Sequence, residues 1–200
     1  MTPQFRKYHG LGNDYIVIDP ADFDFEPRPE AVRALCDRHR GAGSDGVLLG
    51  PLRDGGPDVR IFNPDGSEAA KSGNGLRIFS WFLYERGLSG GDRFSLVTKG
   101  GRVAVEIVDP GAKLVRIDMG APSFAAADVP ALADGPELVD RPAEFGGRQC
   151  RITCVSMGNP HCVVFGLGAS ESVARELGPL VERDAMFPDR ANVQFVEPLG

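Results

Sequence analysis

The chain has 200 residues, a net charge of −6 at pH 7, 26 glycines and 16 prolines. With 42% apolar and 8% aromatic residues, it can bury the core of one or two domains, which excludes a disordered or collagen-like chain. The acidic balance and the lack of a Lys/Arg run argue against nucleic acid as a partner. No apolar run approaches the roughly 20 residues of a membrane span, and residues 1–9 contain no apolar signal segment, so we expect a cytoplasmic protein without membrane association.

The cysteines show no spacing typical of a metal site or a CxxC redox motif. They are Cys36, Cys150, Cys154 and Cys162. Since strand side chains alternate, Cys150 and Cys154 are predicted to share one face of a strand. Buried free thiols explain all of them, and we predict no metal.

The first segment predicts two strands, Phe5–His9 and Tyr15–Ile18, around a tight turn at Gly10–Asp14, because glycine permits the positive φ that a reversal needs. Proline in the first turn and glycine past the end predict a helix over Pro29–Arg40. Its apolar stripe is Val32, Leu35, Cys36 and His39. Two further strands fit Gly46–Gly50 and Asp58–Asn63.

A strongly apolar helix is predicted to start after Ser72–Gly75 and to run from Leu76 to Arg86, closing at Gly87. Apolar residues occupy more than one stripe of it, so we expect it to be buried nearly all round. Strand patterns follow at Phe94–Thr98, Val103–Val108 and Leu114–Asp118.

A break at Met119–Pro122 and an Ala/Asp/Pro-rich excursion to about Pro142 predict a domain boundary. We assign a first domain to residues 1–118 and a second to residues 119–200. The second series resembles the first half restarting. Its predicted elements are strands at Gln149–Ser156, Cys162–Phe165 and Asn192–Glu197 and a helix near Ala169–Arg183.

The loop Ser72-Gly73-Asn74-Gly75 is the first candidate site. The first N–H groups of a helix lack intrahelical acceptors, and the helix dipole favours negative charge there, so the loop can hold a carboxylate. The structural alternative is that Ser72 only caps the helix while the glycines make the turn.

The second candidate is His161, which follows the constrained turn Gly158-Asn159-Pro160 at a strand edge. Such a side chain is easily directed into a cleft, and histidine exchanges protons near neutral pH. A purely structural loop histidine is the alternative, and His9 and His39 are interpreted as structural.

Asparagines recur in turns bounded by glycine or proline. They are Asn13, Asn63, Asn74, Asn159 and Asn192. Each has an adequate structural explanation as a turn residue. Together they are also consistent with a pocket for an amino acid, because an amide offers a donor and an acceptor to carboxylate and ammonium groups.

Four blocks in this order resemble the successive signatures of the diaminopimelate epimerase family. The blocks are Tyr8–Tyr15, Phe62–Glu68 with Gly73–Gly75, Gly158–His161 and Arg190–Val193. The resemblance implies an α/β (α+β) fold of two pseudo-symmetric lobes, each with strands wrapped around a central helix and the active site in the cleft between them. It also implies a homodimer whose substrate is a small amino acid, with no pyridoxal phosphate, metal or nucleotide cofactor.

The implied reaction converts LL- to meso-diaminopimelate, for lysine and peptidoglycan precursors, by removing and returning the α-proton between two cysteines. Carried over, the substrate-binding positions are Asn13, Asn63, Gly73, Asn74, Asn159 and Asn192. His161 matches a histidine beside the reacting centre, and Ser72 stands at the first catalytic cysteine position. An alcohol is a much poorer base than a thiol, so Ser72 cannot supply a resting thiolate.

Two further departures from the family pattern are expected to matter. Gly46 stands where the resemblance implies a glutamine after Gly-x-Asp. The Glu-Arg-Gly and Ala-Cys-Gly segments, which bring the second catalytic cysteine, are expected beyond Gly200, so we expect the second lobe to be incomplete in this chain. Cys162 adjoins His161 and is predicted to face the core if His161 faces the cleft.

Two alternatives stay open at this point. A related isomerase, racemase or dehydratase can act on another amino acid, using His161 or a residue expected beyond Gly200 as its base. A catalytically silent protein can instead keep the asparagine-rich pocket for binding alone.

Overall fold

The structure is a computed structural model that describes residues 5–52, 58–132 and 135–198. The chain divides into two compact units, Met1–Met119 and Gly120–Gly200, here unit 1 and unit 2. No helix of the described residues is long and apolar enough to cross a membrane.

The elements alternate between short strands and three helices in the described part of the chain. The strands are β1 (Arg6–Gly10), β2 (Asn13–Ile18), β3 (Val47–Leu49), β4 (Arg60–Phe62), β5 (Glu68–Ala69), β6 (Arg93–Thr98), β7 (Gly101–Asp109), β8 (Leu114–Asp118), β9 (Arg141–Phe145), β10 (Arg148–Ser156), β11 (Pro160–Phe165) and β12 (Asn192–Val196). The helices are α1 (Pro29–Cys36), α2 (Gly73–Glu85) and α3 (Glu171–Glu182), and a short 3₁₀ helix spans Ala126–Asp128.

The larger sheet of unit 1 has the order β1-β2-β3-β4-β5 and is antiparallel except between β2 and β3. Helix α1 lies between these two parallel strands in the chain. Ile16 and Val47 pack into one cluster with Val32 of α1, whereas Tyr15 and Val17 pack on the other side into the cluster that contains α2. Both sheet faces are covered, which explains why the end of β2 is apolar without alternation.

Helix α2 is buried between this sheet and a second sheet of order β6-β7-β8. Its Leu76, Phe79 and Phe82 are fully buried, and Leu96 and Val105 of the second sheet belong to the same core. The prediction of a helix buried nearly all round is therefore confirmed, and the stretch is apolar because sheets cover both sides of it.

Helix α1 ends at Cys36, four residues earlier than the sequence predicted. The Asp37 carboxylate accepts hydrogen bonds from the backbone N–H groups of His39 and Arg40, at 2.8 and 2.9 Å. This local turn replaces the helical pattern, since a short acidic side chain competes for backbone donors. His39 is consequently exposed, so its placement on a buried stripe was wrong.

Unit 2 has a sheet of order β12-β11-β10-β9, with β11 and β12 parallel. Helix α3 contacts the two outer strands, β9 and β12, and therefore spans one face of the sheet. Ile152 and Cys154 of β10 are buried, as are Leu177 and Val181 of α3. This helix buries one stripe rather than its whole circumference.

Strands β5 and β9 were not predicted from the sequence. Strand β5 has two residues and pairs with β4, and β9 pairs with β10 in the stretch that was interpreted as a surface excursion. Both are edge strands with mixed polar composition, so neither shows the alternation that marks a half-buried strand.

Candidate functional site

Ser72 is the N-cap residue of α2. Its backbone is extended, and its Oγ accepts a hydrogen bond from the Gly75 N–H at 3.1 Å, while its carbonyl accepts from the Leu76 N–H at 2.8 Å. As the first two helical residues, Gly73 and Asn74 have N–H groups without intrahelical acceptors. The structural prediction of a serine cap is confirmed, and the cap leaves two amides at the positive end of the helix dipole for an anion.

The two glycines of this loop have different surroundings. A Cβ built on Gly73 would meet no heavy atom of the described residues within 4 Å. One built on Gly75 would lie 3.1 Å from Leu48 Cδ2 and 3.2 Å from Ser72 Oγ. Gly75 thus serves the packing of α2 against β3, whereas Gly73 borders open space into which a ligand can approach the backbone.

Two of the predicted asparagines contact each other. Asn74 Nδ2 donates to Asn13 Oδ1 at 3.1 Å, and Asn13 Nδ2 donates to the Asp45 carboxylate at 3.1 Å. At the other end, the Arg77 guanidinium donates to Asn74 Oδ1. Because Arg77 can only donate and a carboxylate can only accept, the chain of hydrogen bonds fixes the orientation of both amides.

A cluster of charges anchors the far end of this chain. The Arg38 guanidinium lies 2.6 Å from Asp14 Oδ1 and 2.7 Å from Asp45 Oδ1, and Lys7 Nζ lies 2.8 Å from Asp14 Oδ2. The hydrogen bond from Arg38, with that from Lys7, holds the pKa of Asp14 well below its usual range. The negative charges of Asp14 and Asp45 are therefore balanced by the positive charges of Arg38 and Lys7.

Tyr15 brings a second hydroxyl to Ser72. Its Oη lies 3.0 Å from Ser72 Oγ, and only 6% of the residue is exposed. Burial raises the pKa of the Tyr15 phenol above its ordinary value. A Cβ on Gly46 would lie 2.6 Å from Tyr15 Cε1 and 2.6 Å from the Phe62 carbonyl oxygen. With the ring in this place, position 46 has no room for a side chain, which is a packing reason for the glycine there.

Asn63 is engaged within its own turn. Its Nδ2 donates to Ser67 Oγ at 3.0 Å, and its carbonyl accepts from the Gly66 N–H at 2.9 Å. These two hydrogen bonds fit the structural explanation of a turn residue, and the binding role of Asn63 remains a prediction.

In unit 2, His161 is held from both ring nitrogens. Gln194 Nε2 lies 3.1 Å from Nδ1, and Asn159 Oδ1 lies 3.0 Å from Nε2. With Gln194 donating, Nδ1 accepts and Nε2 carries the proton that Asn159 accepts, which is a neutral tautomer. Gln194 Oε1 is buried and has no hydrogen-bond partner in the described part of the chain.

Asn192 lies beside His161 in the parallel register of β11 and β12. It is exposed, and its Nδ2 donates to the Pro160 carbonyl at 3.0 Å. Cys162 is fully buried and pairs in register with Cys154, so the prediction that it belongs to the core is confirmed. The hydrogen bond with Cys154 and burial raise the pKa of the Cys162 thiol.

Several residues of these networks were not predicted from the sequence. They are Tyr15, Arg38, Asp45, Arg77 and Gln194. Asp45 adjoins Gly46 and Arg77 lies three residues after Asn74, and this closeness to predicted positions is a signal that could have found them. The pairing of Tyr15 with Ser72 spans 57 residues and has no local signature. Among the described residues, no group of three His, Cys, Asp or Glu side chains is arranged to hold a metal ion.

The two-lobed α+β fold is that of solved amino-acid racemases and epimerases. A probable proline racemase from Agrobacterium radiobacter K84 matches with a TM-score of 0.66 and 18% identity, over 98% of this chain and 67% of that one. A hydroxyproline epimerase from Agrobacterium vitis matches with a TM-score of 0.56 and 20% identity, over 89% of this chain and 56% of that one. At these identities the likeness defines the fold alone.

Sequence comparison gives the family. A family profile described as diaminopimelate epimerase matches residues 5–125. "Diaminopimelate epimerase 2" of a Nostoc species is 46% identical over 198 residues, which is 98% of this chain and 69% of the relative. The diaminopimelate epimerase of Pelotomaculum thermopropionicum is 42% identical over 98% of this chain and 71% of its own length. The chain belongs to the diaminopimelate epimerase family.

Proposed function

We propose that this protein is a diaminopimelate epimerase, an isomerase that interconverts LL- and meso-diaminopimelate in the synthesis of lysine and peptidoglycan precursors. Support comes from the family profile and from relatives of that name at 46% and 42% identity. The reaction removes the α-proton and returns one on the opposite face, and it needs no cofactor. We further propose a cytoplasmic homodimer, as the sequence and the resemblance imply.

The observation that carries this proposal is the start of α2. The substrate α-carboxylate binds the N–H groups of Gly73 and Asn74, which lack intrahelical acceptors and lie at the positive end of the dipole. The opening at Gly73 gives the carboxylate access to the backbone. Ser72 Oγ, at the cap of the same turn, is then next to the carbon that carries the carboxylate.

In this proposal Ser72 donates the proton to one face of the substrate α-carbon. A serine hydroxyl is a far weaker acid than a thiol with a pKa of about 8.5, so Ser72 is protonated at rest and donates only to a strong base such as the α-carbanion. In the reverse direction the same oxygen, once deprotonated, removes the α-proton. The preformed amides lower the energy of the negative charge that develops when the α-proton leaves.

The family resemblance gives the asparagines and His161 further roles in this proposal. Asn13 and Asn74 present amides whose orientation is fixed between Arg77 and Asp45. His161 is the auxiliary acid or base. Asn63, Asn159 and Asn192 are proposed as further substrate-binding residues.

The test is exchange of the substrate α-proton with solvent deuterium, followed by proton NMR with LL- and meso-diaminopimelate and the full-length protein. We expect exchange with both isomers in the wild type and a loss of at least about 100-fold in Ser72→Ala. Ser170→Ala is the matched control, because Ser170 is likewise an N-cap serine, that of α3, and accepts from the Val173 N–H. It should exchange at the wild-type rate.

Other outcomes distinguish the alternatives. Exchange with another amino acid but not with diaminopimelate identifies a related isomerase or racemase. Calorimetric binding of diaminopimelate without exchange identifies a binding protein. Either result in folded full-length protein overturns the proposal, and a steep gain in Ser72→Cys supports it.

A further inference from the structure

The hydroxyl group of Tyr15 is a feature of the Ser72 site to which the proposed function gives no role. Tyr15 lies on β2, its ring is buried in the core around α2, and its Oη lies 3.0 Å from Ser72 Oγ. A phenylalanine would fill the same apolar space without a polar atom. A buried phenol normally finds a partner for its O–H, and here that partner is the side chain at the expected catalytic position.

The place of the Tyr15 ring is fixed by its neighbours. Gly46 supplies the space, since a Cβ there would lie 2.6 Å from Tyr15 Cε1. Ser72 and Gly46 are two positions at which we expect the chain to depart from the pattern that the resemblance implies, and both lie against this one tyrosine. Ser72 and Gly46 are therefore both in contact with Tyr15, so the two expected departures are structurally connected.

The hydrogen-bond capacity of Ser72 gives this contact a direction. A serine hydroxyl has one O–H donor and two acceptor positions. The Gly75 N–H occupies one acceptor position at 3.1 Å. Burial raises the pKa of Tyr15, so the phenol keeps its proton near neutral pH and can donate to the other acceptor position. The Ser72 O–H is then left to point away from both, toward a ligand.

We propose that Tyr15 is a positioning residue that acts through Ser72, orienting its hydroxyl and resupplying its proton during proton return to the substrate. This inference rests on the proposed function. In the step, the electron pair of the α-carbanion forms the new C–H bond with the Ser72 proton as the Ser72 O–H bond breaks. The Tyr15 proton moves to Ser72 Oγ, and the resulting phenolate takes a proton from water.

The relay has an energetic reason. Serine alone would be left as an alkoxide, whereas transfer from Tyr15 leaves a phenolate, the conjugate base of a much stronger acid. The positive end of the α2 dipole stabilises negative charge beside Ser72. The pair thus makes a usable acid from a residue that by itself is a weak one.

The first experiment compares Tyr15→Phe with Tyr8→Phe in the full-length protein. Tyr8 also packs against the α2 core, but its hydroxyl donates to Glu85 at the other end of the helix, at 2.7 Å. We expect kcat for α-proton exchange to fall about 100-fold in Tyr15→Phe with KM within about twofold, and no change in Tyr8→Phe. The wild type should lose activity at alkaline pH as Tyr15 ionises, and Tyr15→Phe should lack that limb.

The second experiment repeats the change in Ser72→Cys. A thiol is acidic enough to donate without help, so Tyr15→Phe should cost less than about threefold in kcat there. An equal loss in both backgrounds means a purely structural role and overturns the inference. Wild-type kinetics in Tyr15→Phe overturn it as well.

A third measurement does not depend on turnover. Ultraviolet titration follows the phenolate of Tyr15, identified by its absence in Tyr15→Phe. When Tyr15 ionises, the Ser72 O–H can turn and donate to the phenolate, which lowers the pKa of Tyr15 relative to burial alone, so Ser72→Ala should raise its midpoint. An unchanged midpoint shows that the hydroxyls do not interact and overturns the inference. A wild type that interacts in this way but exchanges no diaminopimelate proton refutes the proposed function instead.

Discussion

Helices α2 and α3 begin with the same local signal but have different surroundings. Each has an N-cap serine whose Oγ accepts from the backbone N–H three residues on, Gly75 in α2 and Val173 in α3. Helix α2 is then covered by two sheets, whereas α3 lies on one sheet and has Leu180 49% exposed. An N-cap therefore sets where a helix starts, while burial decides whether the first turn of the helix is held rigidly enough to present a binding site.

The largest expected difference concerns the cores of the two helices. Phe79→Ala in α2 should lower the free energy of unfolding by about 3–5 kcal/mol, because Phe79 is fully buried and its removal leaves a cavity. Leu180→Ala in α3 should cost less than about 1 kcal/mol, since this residue is half exposed. Urea unfolding of both variants checks this, and equal losses would contradict the difference in burial.

The two caps give the next largest difference. Ser170→Ala should cost about 1 kcal/mol, the usual loss of an N-cap. Ser72→Ala should cost about 2–3 kcal/mol, because it also removes the partner of the buried Tyr15 hydroxyl. Thermal unfolding measures both values. Adding Tyr15→Phe to Ser72→Ala should recover part of the stability lost beyond the usual N-cap value. The absence of recovery would argue against the hydrogen bond between Tyr15 and Ser72.

A smaller effect is expected at His161, whose ring is oriented by side chains rather than by a helix. Gln194→Leu removes the donor to Nδ1 and should lower kcat for α-proton exchange about tenfold by freeing the ring and its tautomer. Gln149→Leu is the matched control, a glutamine on β10 that pairs with Glu144 at the surface. If both variants keep wild-type rates, His161 needs no positioning by Gln194.

The smallest effect is on the pH dependence of stability. Arg38 and Lys7 lower the pKa of Asp14 in the folded chain below its usual 3.8, so native Asp14 stays ionised where the unfolded chain takes up a proton. Its contribution to stability is therefore present above about pH 4 and is lost as the pH falls through the lowered value. Asp14→Asn should flatten the acid limb of a plot of unfolding free energy against pH. An unchanged limb would show that this cluster does not stabilise the fold.

Much of the architecture was predictable from local pattern. The tight turn between β1 and β2, the boundaries of β8 and the burial of α2 follow from alternation, glycine and apolar content. The end of α1 was not predictable from its apolar stripe, because the Asp37 side chain captures the backbone N–H groups of the next turn. Strand β9 was missed because an edge strand with one polar side lacks a clear period.

The sequence by itself determined the family, most of the helices and strands and the loop at Ser72, since these depend on residues close together in the chain. Only the tertiary structure decided what surrounds them. It joined Asn13 to Asn74 across 61 positions and Tyr15 to Ser72 across 57, and it set Gln194 against His161 across 33. Such pairs arise where sheet register and helix packing bring distant side chains together, and no local propensity or spacing records that geometry.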